Sequence, residues 1–174
     1  MFSINHNQTI SSLQLGMLYT GNQSPENGLF LQQVIAEMDE IDLDALIQAW
    51  KTRGQSYDIM QNAFLWEDGG EPVRVIDSQA VLPVQVIDWS SDTREQQQEK
   101  FESFLLSDRR SGFDLRKAPL SRIAIFKTGQ SSFRFVWTYH QILMDEFTRD
   151  QLLRDVFHTY DELCKNTGSQ MADF

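Results

Sequence analysis

His140 closes a run of strictly alternating aromatic residues, and Asp145 follows it five positions later. A histidine at a strand end beside a carboxylate has the makings of a general base, because imidazole is the side chain that titrates nearest neutrality. Spacing alone leaves a second role open. A lone histidine at a strand end is more commonly a hydrogen-bonded structural residue. The other chemistry-bearing residues carry less. His6 and His158 have no acidic or cysteine partner at metal-ligand spacing, so both are expected in solvent. Gly69-Gly70 has no following Lys-Ser/Thr and reads as a hairpin turn rather than a phosphate loop. Cys164 is the single cysteine, which excludes an intrachain disulfide and a thiolate metal cage and suits a reducing cytoplasm.

These residues need elements to hold them. Ser132 to His140 places Phe133, Phe135, Trp137 and Tyr139 on one face, and with Arg122 to Lys127 across the Thr128-Gly129-Gln130 turn it reads as a hairpin. A loop carrying Asp145 leads to Thr148, which with Gln151 forms a capping-box pattern. The helix it opens repeats Leu152, Leu153, Val156, Phe157, Tyr160 and Leu163 and fades after Cys164. Upstream, the spacing predicts a short helix over Ser11 to Tyr19, a strand over Leu29 to Met38, and a helix with Leu43, Leu46, Ile47 and Trp50 on one face, capped by Asp42. Strands follow at Asn62 to Trp66 and Val73 to Ile76. A surface helix begins near Asp92, carries Phe101, Phe104 and Leu105 and ends near Arg110. Turn signals lie at Gly21 to Gly28 and at Asp68 to Pro72. The order predicts an α/β fold, helices packed on a mixed sheet in a two-layer sandwich.

With 174 residues, 41% of them hydrophobic, the chain is enough for one core and short of two, so residues 1–174 are expected to form a single domain. A net charge of −10 repels phosphate backbones and anionic headgroups, which argues against nucleic acid and membrane as partners. The segment Met1 to Ile10 is polar, and no apolar run approaches the roughly 18 residues of a membrane span.

Four segments in order carry a resemblance. They are Ile10-Ser11-Ser12-Leu13-Gln14-Leu15-Gly16-Met17-Leu18-Tyr19, Ser56-Tyr57-Asp58-Ile59-Met60-Gln61-Asn62-Ala63-Phe64, Gly112-Phe113-Asp114-Leu115-Arg116-Lys117-Ala118-Pro119-Leu120, and Tyr139-His140-Gln141-Ile142-Leu143-Met144-Asp145-Glu146. Together they resemble the N-terminal lobe of a nonribosomal peptide synthetase condensation domain, of the chloramphenicol acetyltransferase-like superfamily. The last segment lies on that family's His-His-x-x-x-Asp-Gly signature. The resemblance implies that His140 matches the first, structural histidine, Gln141 replaces the second, catalytic one, and Asp145 matches the loop-ordering aspartate. Glu146 replaces the glycine, and Ser56 and Gln61 replace two arginines, one of them the expected ion-pair partner of Asp145.

In the family, the second histidine lies in a tunnel between two lobes, where amine and thioester arrive on the phosphopantetheine arms of carrier proteins. The resemblance therefore implies no cofactor bound directly, with synthetase domains or carrier proteins as partners, and either a homodimer or a missing C-terminal lobe to cover the apolar strip of an isolated half. Phe147, Trp137 and Met171 to Phe174 are candidates for that strip. A carboxamide is not basic near neutral pH. The expectation is thus a truncated, non-catalytic condensation domain, cytoplasmic, kept as a structural or interaction module. The alternative is half of an active enzyme whose C-terminal lobe is supplied elsewhere, with His140 as base. A third class, a stand-alone acidic binding protein, needs a pocket the sequence does not reveal. A buried His140 bonded to backbone favours the first; a His140 pointing into an open cleft favours the second.

Overall fold

The computed structural model describes residues 2–4, 10–23, 28–66 and 70–170. The elements run β1 (Phe2–Ile4), α1 (Ser12–Gln23), β2 (Leu31–Asp39), α2 (Leu43–Ser56), β3 (Asn62–Leu65), β4 (Val73–Asp77), β5 (Val84–Asp88), α3 (Arg94–Ser111), β6 (Ser121–Lys127), β7 (Ser132–His140) and α4 (Glu146–Gln170), with a 3-10 turn at Asp58–Gln61. A four-stranded sheet has the order β2-β7-β6-β5, and a separate three-stranded sheet has the order β1-β4-β3. Only β5 and β6 pair in parallel, so the larger sheet is mixed.

The alternation along β7 decides where everything packs. Phe133, Phe135, Trp137 and Tyr139 point to one face and are buried with Leu46 and Trp50 of α2 and Leu152 and Val156 of α4. Trp50 lies 5.6 Å from the Phe135 ring and 4.9 Å from Trp137, and Trp137 stacks on Tyr139 at 4.6 Å. Trp137 is thus core and not part of an exposed strip. The opposite face of β6 and β7 presents Ala124, Phe126 and Val136 to Phe101 of α3. Helices therefore cover both faces of the larger sheet, and β7 is a central strand buried from Phe135 to His140. Under the N-terminal part of β2, Asp108 of α3 is buried with a carboxylate that accepts from Arg122 Nε (2.5 Å), Thr138 Oγ1 (2.6 Å) and Gln33 Nε2 (2.7 Å). A buried charge persists only when so completely partnered.

Several boundaries differ from the sequence reading. Asp42 caps α2 as expected, accepting from the Ala45 N–H at 3.0 Å, and Thr93 with Gln96 closes a capping box on α3. The segment read as merely polar, Met1 to Ile10, contributes β1, paired with β4. Strand β5 was not anticipated. Helix α1 runs past Tyr19 to Gln23, and α4 extends beyond Cys164 to Gln170. His158 is exposed as expected, although Glu162, one helical turn on, lies 3.7 Å away. His6, most of the turn before Gly28, Asp68-Gly69 and Met171 to Phe174 lie outside the described residues.

Candidate functional site

Strand β7 delivers His140 to its end by pairing with both neighbours. The His140 N–H donates to the Leu120 carbonyl at 3.0 Å, just beyond the register that sets Ser121 opposite Tyr139. The imidazole is 5% exposed, 6.1 Å from the Phe30 ring, and its Nδ1 accepts the Ile142 N–H at 3.2 Å. That bond assigns the proton of the neutral ring to Nε2. Burial pushes the His140 pKa down to about 4, because a charged ring would lose its hydration. His140 is therefore neutral at physiological pH, with one nitrogen committed to the turn that follows it.

Residues 141–145 form that turn, and main-chain anchors hold it. Ile142, Leu143 and Met144 are buried, and Gln14 Nε2 donates to the Ile142 carbonyl at 2.9 Å. Gln14 is itself fixed by a reciprocal pair with Ser11: its N–H donates to Ser11 Oγ (3.2 Å) and its Oε1 accepts the Ser11 N–H (3.0 Å). Gln141 donates its N–H to the Phe30 carbonyl at 2.8 Å, and its exposed side chain accepts a long contact from Gln32 Nε2 at 3.4 Å. Phe30 has φ 67°, a left-handed conformation that costs an aromatic residue strain and turns its carbonyl toward Gln141.

Asp145 is exposed and does not partner His140. Its carboxylate accepts the Thr148 N–H at 2.8 Å, and hydrogen bonds from the Thr148 hydroxyl and amide hold its pKa below the usual carboxylate range. This makes Asp145 the cap of α4, three residues ahead of the cap that Thr148 was expected to supply. The helix consequently starts at Glu146. Ser56 and Gln61, which the resemblance sets where the family has arginines, make local bonds: Ser56 Oγ donates to the Arg53 carbonyl and Gln61 Nε2 to the Gln55 carbonyl, each at 3.0 Å. Arg149, which the sequence reading passed over, bonds Asp150 at 2.9 Å and the Tyr139 hydroxyl.

A hollow of about 390 Å³ opens between the start of α1 and this turn, lined by Ser11, Leu13, Met17, Gln141, Met144 and Thr148 among others. Leu13 and Phe147 are about seven-tenths exposed in this region. Chemically, among the described residues, the hollow offers carboxamides, the exposed Asp145 carboxylate and the Ser11 and Thr148 hydroxyls, and no solvent-facing imidazole. Of the three residues singled out by sequence, His140 is inside, Gln141 faces solvent, and Asp145 closes a helix. Among the described residues, no group of three His, Cys, Asp or Glu side chains could hold a metal ion, and no helix is long and apolar enough to cross a membrane.

The family model described as Condensation domain matches residues 4–173. Gramicidin S synthase 2 of Brevibacillus brevis is 30% identical over 163 residues, which are 93% of this chain and 4% of that protein. Bacitracin synthase 1 of Bacillus licheniformis is 25% identical over 173 residues, 99% of this chain and 3% of that protein. The chain thus spans only a small part of the curated relatives it matches. Among solved structures, the starter condensation domain of rhizomide synthetase RzmA superposes with a TM-score of 0.79 at 18% identity, covering 91% of this chain and 38% of that one. The four-domain nonribosomal peptide synthetase holo-AB3403 gives a TM-score of 0.77 at 22% identity, covering 92% and 12%. At these identities the structural likeness speaks for the fold, the single-lobe α/β arrangement expected of the chloramphenicol acetyltransferase type.

Proposed function

The chain belongs to the condensation-domain family, and on that premise we propose that this lobe is a contact unit for carrier and synthetase domains that does not itself form peptide bonds. The observation that carries the reading is the pair His140 and Gln141. Peptide-bond formation joins an amine to a thioester carbonyl: a C–N bond forms, the C–S bond breaks, and the amine's proton must be accepted or its charge stabilised. By the resemblance, Gln141 stands where the family's catalytic histidine does, and its amide takes no proton. Among the described residues, the imidazole at this turn, His140, is buried, neutral, and bonded through Nδ1 to the main chain. Glu146, Ser56 and Gln61 in place of the signature glycine and arginines support the same reading. Phosphopantetheine enters as the arm of a partner carrier, not as a group of this chain.

The test is a condensation assay with two aminoacyl-loaded carrier domains, scored by mass spectrometry for dipeptidyl product. The unmodified chain is expected to give none, and Gln141→His alone is expected to give none either, because the arginines remain absent. Dipeptidyl product from the unmodified chain at rates above the carrier-only control overturns the reading.

A further inference from the structure

The charge of this chain is unevenly placed. Residues 109–117 carry Arg109, Arg110, Arg116 and Lys117 against Asp114 alone, a local +3, so the remainder carries −13. All four cations are exposed. Lys117 pairs with Asp114 at 3.0 Å, and Arg116 lies over the Trp66 ring at 4.5 Å. Among the described residues, neither Arg109 nor Arg110 forms an ion pair. Arg109 donates to neutral acceptors, the Leu31 carbonyl at 3.3 Å and Gln33 Oε1 at 3.1 Å, so none of its described acceptors carries a charge. Beside them, a shallow hollow of about 430 Å³ is lined by Ser103, Leu106, Ser107, Arg110 and Ser111, and Leu106 is 60% exposed. An exposed leucine ringed by serines and an unpaired arginine is the composition of a small protein-contact surface.

This surface is joined to the candidate site. Arg109 is tied to the Leu31 carbonyl, while the adjacent Phe30 carbonyl holds the Gln141 N–H. Gly28 permits that arrangement: at φ 56° a Cβ would stand 2.4 Å from Arg109 Cγ. The basic end of α3 and the turn bearing Gln141 therefore flank one short segment, residues 28–33.

We propose that the C-terminal end of α3, centred on Leu106 and Arg110, is the docking surface for an acidic carrier domain, beside the segment 28–33 that also anchors the turn bearing Gln141. The inference rests on the carrier-contact reading above and adds its place. Charge complementarity is the argument: in a chain that otherwise repels acidic proteins, this is where one is attracted, and such attraction governs encounter rate and salt dependence. Arginines in a last helical turn also complement the helix dipole, a role that needs no partner and predicts no binding effect.

The experiment measures fluorescence anisotropy of a labelled, phosphopantetheine-loaded peptidyl carrier domain titrated with the whole chain at 50 and 200 mM NaCl. Arg110→Glu is compared with Lys51→Glu, an equal charge change at an exposed position of α2, and Leu106→Asp with both; circular dichroism melts verify folding. The expected result is affinity that falls steeply with salt, weakened roughly ten-fold by Arg110→Glu or Leu106→Asp and less than about two-fold by Lys51→Glu. Binding that is salt-independent, or equally affected by Arg110→Glu and Lys51→Glu, overturns the placement and leaves the carrier-contact reading standing. Absence of carrier binding by the unmodified chain overturns both.

Discussion

Lowering the pH tests whether His140 is the buried, neutral ring on which the functional reading rests. In the unfolded chain this histidine takes up its proton near 6.5, and in the folded one near 4. Between those values the unfolded state binds more protons, so stability falls as pH drops through that window and is flat above it. At ~1.4 kcal/mol per pH unit the loss from this residue approaches ~3 kcal/mol near pH 4 and is ~2 kcal/mol at pH 5, relative to pH 7.5. Urea unfolding at pH 7.5 and pH 5 measures it, with His140→Asn as the non-titrating reference. The variant starts less stable, having lost the bond to the Ile142 N–H, so the difference between the two pH dependences is the informative quantity; the carboxylate contributions common to both cancel. The unmodified chain should lose ~2 kcal/mol more than His140→Asn. Equal pH dependences, or an NMR titration of His140 with a midpoint near 6.5, would show a solvated imidazole free to act as a base and refute the reasoning.

Other perturbations probe what holds the site in place. Asp108→Ala removes a buried carboxylate with three partners and leaves the Arg122 guanidinium without its counter-charge, so urea unfolding should show a loss of about 3 kcal/mol or more. Gly28→Ala places a Cβ against Arg109 in a left-handed conformation and should cost about 1 kcal/mol or more by the same measurement. Trp50→Ala empties the space between Phe135 and Trp137 and should cost about 4 kcal/mol, with loss of the near-ultraviolet signal of the stacked rings.

The parts of this fold that were legible are those where one physical rule acts alone. The aromatic alternation of β7 announces a strand because period two buries every second ring, and Asp42 announces a helix because its carboxylate can accept from the free N–H groups of a first turn that opens at Leu43. Where two rules compete, the sequence is ambiguous. Asp145 and Thr148 are both sound caps, three residues apart. What selects Asp145 is the burial of Ile142 to Met144, which draws the chain inward and starts the helix early. Strand β5 is short, preceded by Pro83, and half exposed at a sheet edge, so its residues show neither clean alternation nor a continuous apolar run; its existence follows from parallel pairing with β6. The left-handed φ of Phe30 has no local signature at all, since nothing in an aromatic side chain favours that conformation.

His140 and Gln141 are neighbours that answer to different demands. The turn after β7 is fixed by the Leu120 and Phe30 carbonyls, the imidazole Nδ1 and the Gln14 amide, together with three buried side chains. Among the described residues, apart from the long contact with Gln32, the side chain of residue 141 takes no part in that scaffold. Its identity therefore sets what the turn presents to a ligand without altering how the turn is built, whereas residue 140 is part of the construction and faces no ligand. This separation explains how a chain can keep a family's fold to a TM-score near 0.8 while the position that resemblance assigns to proton transfer holds an amide.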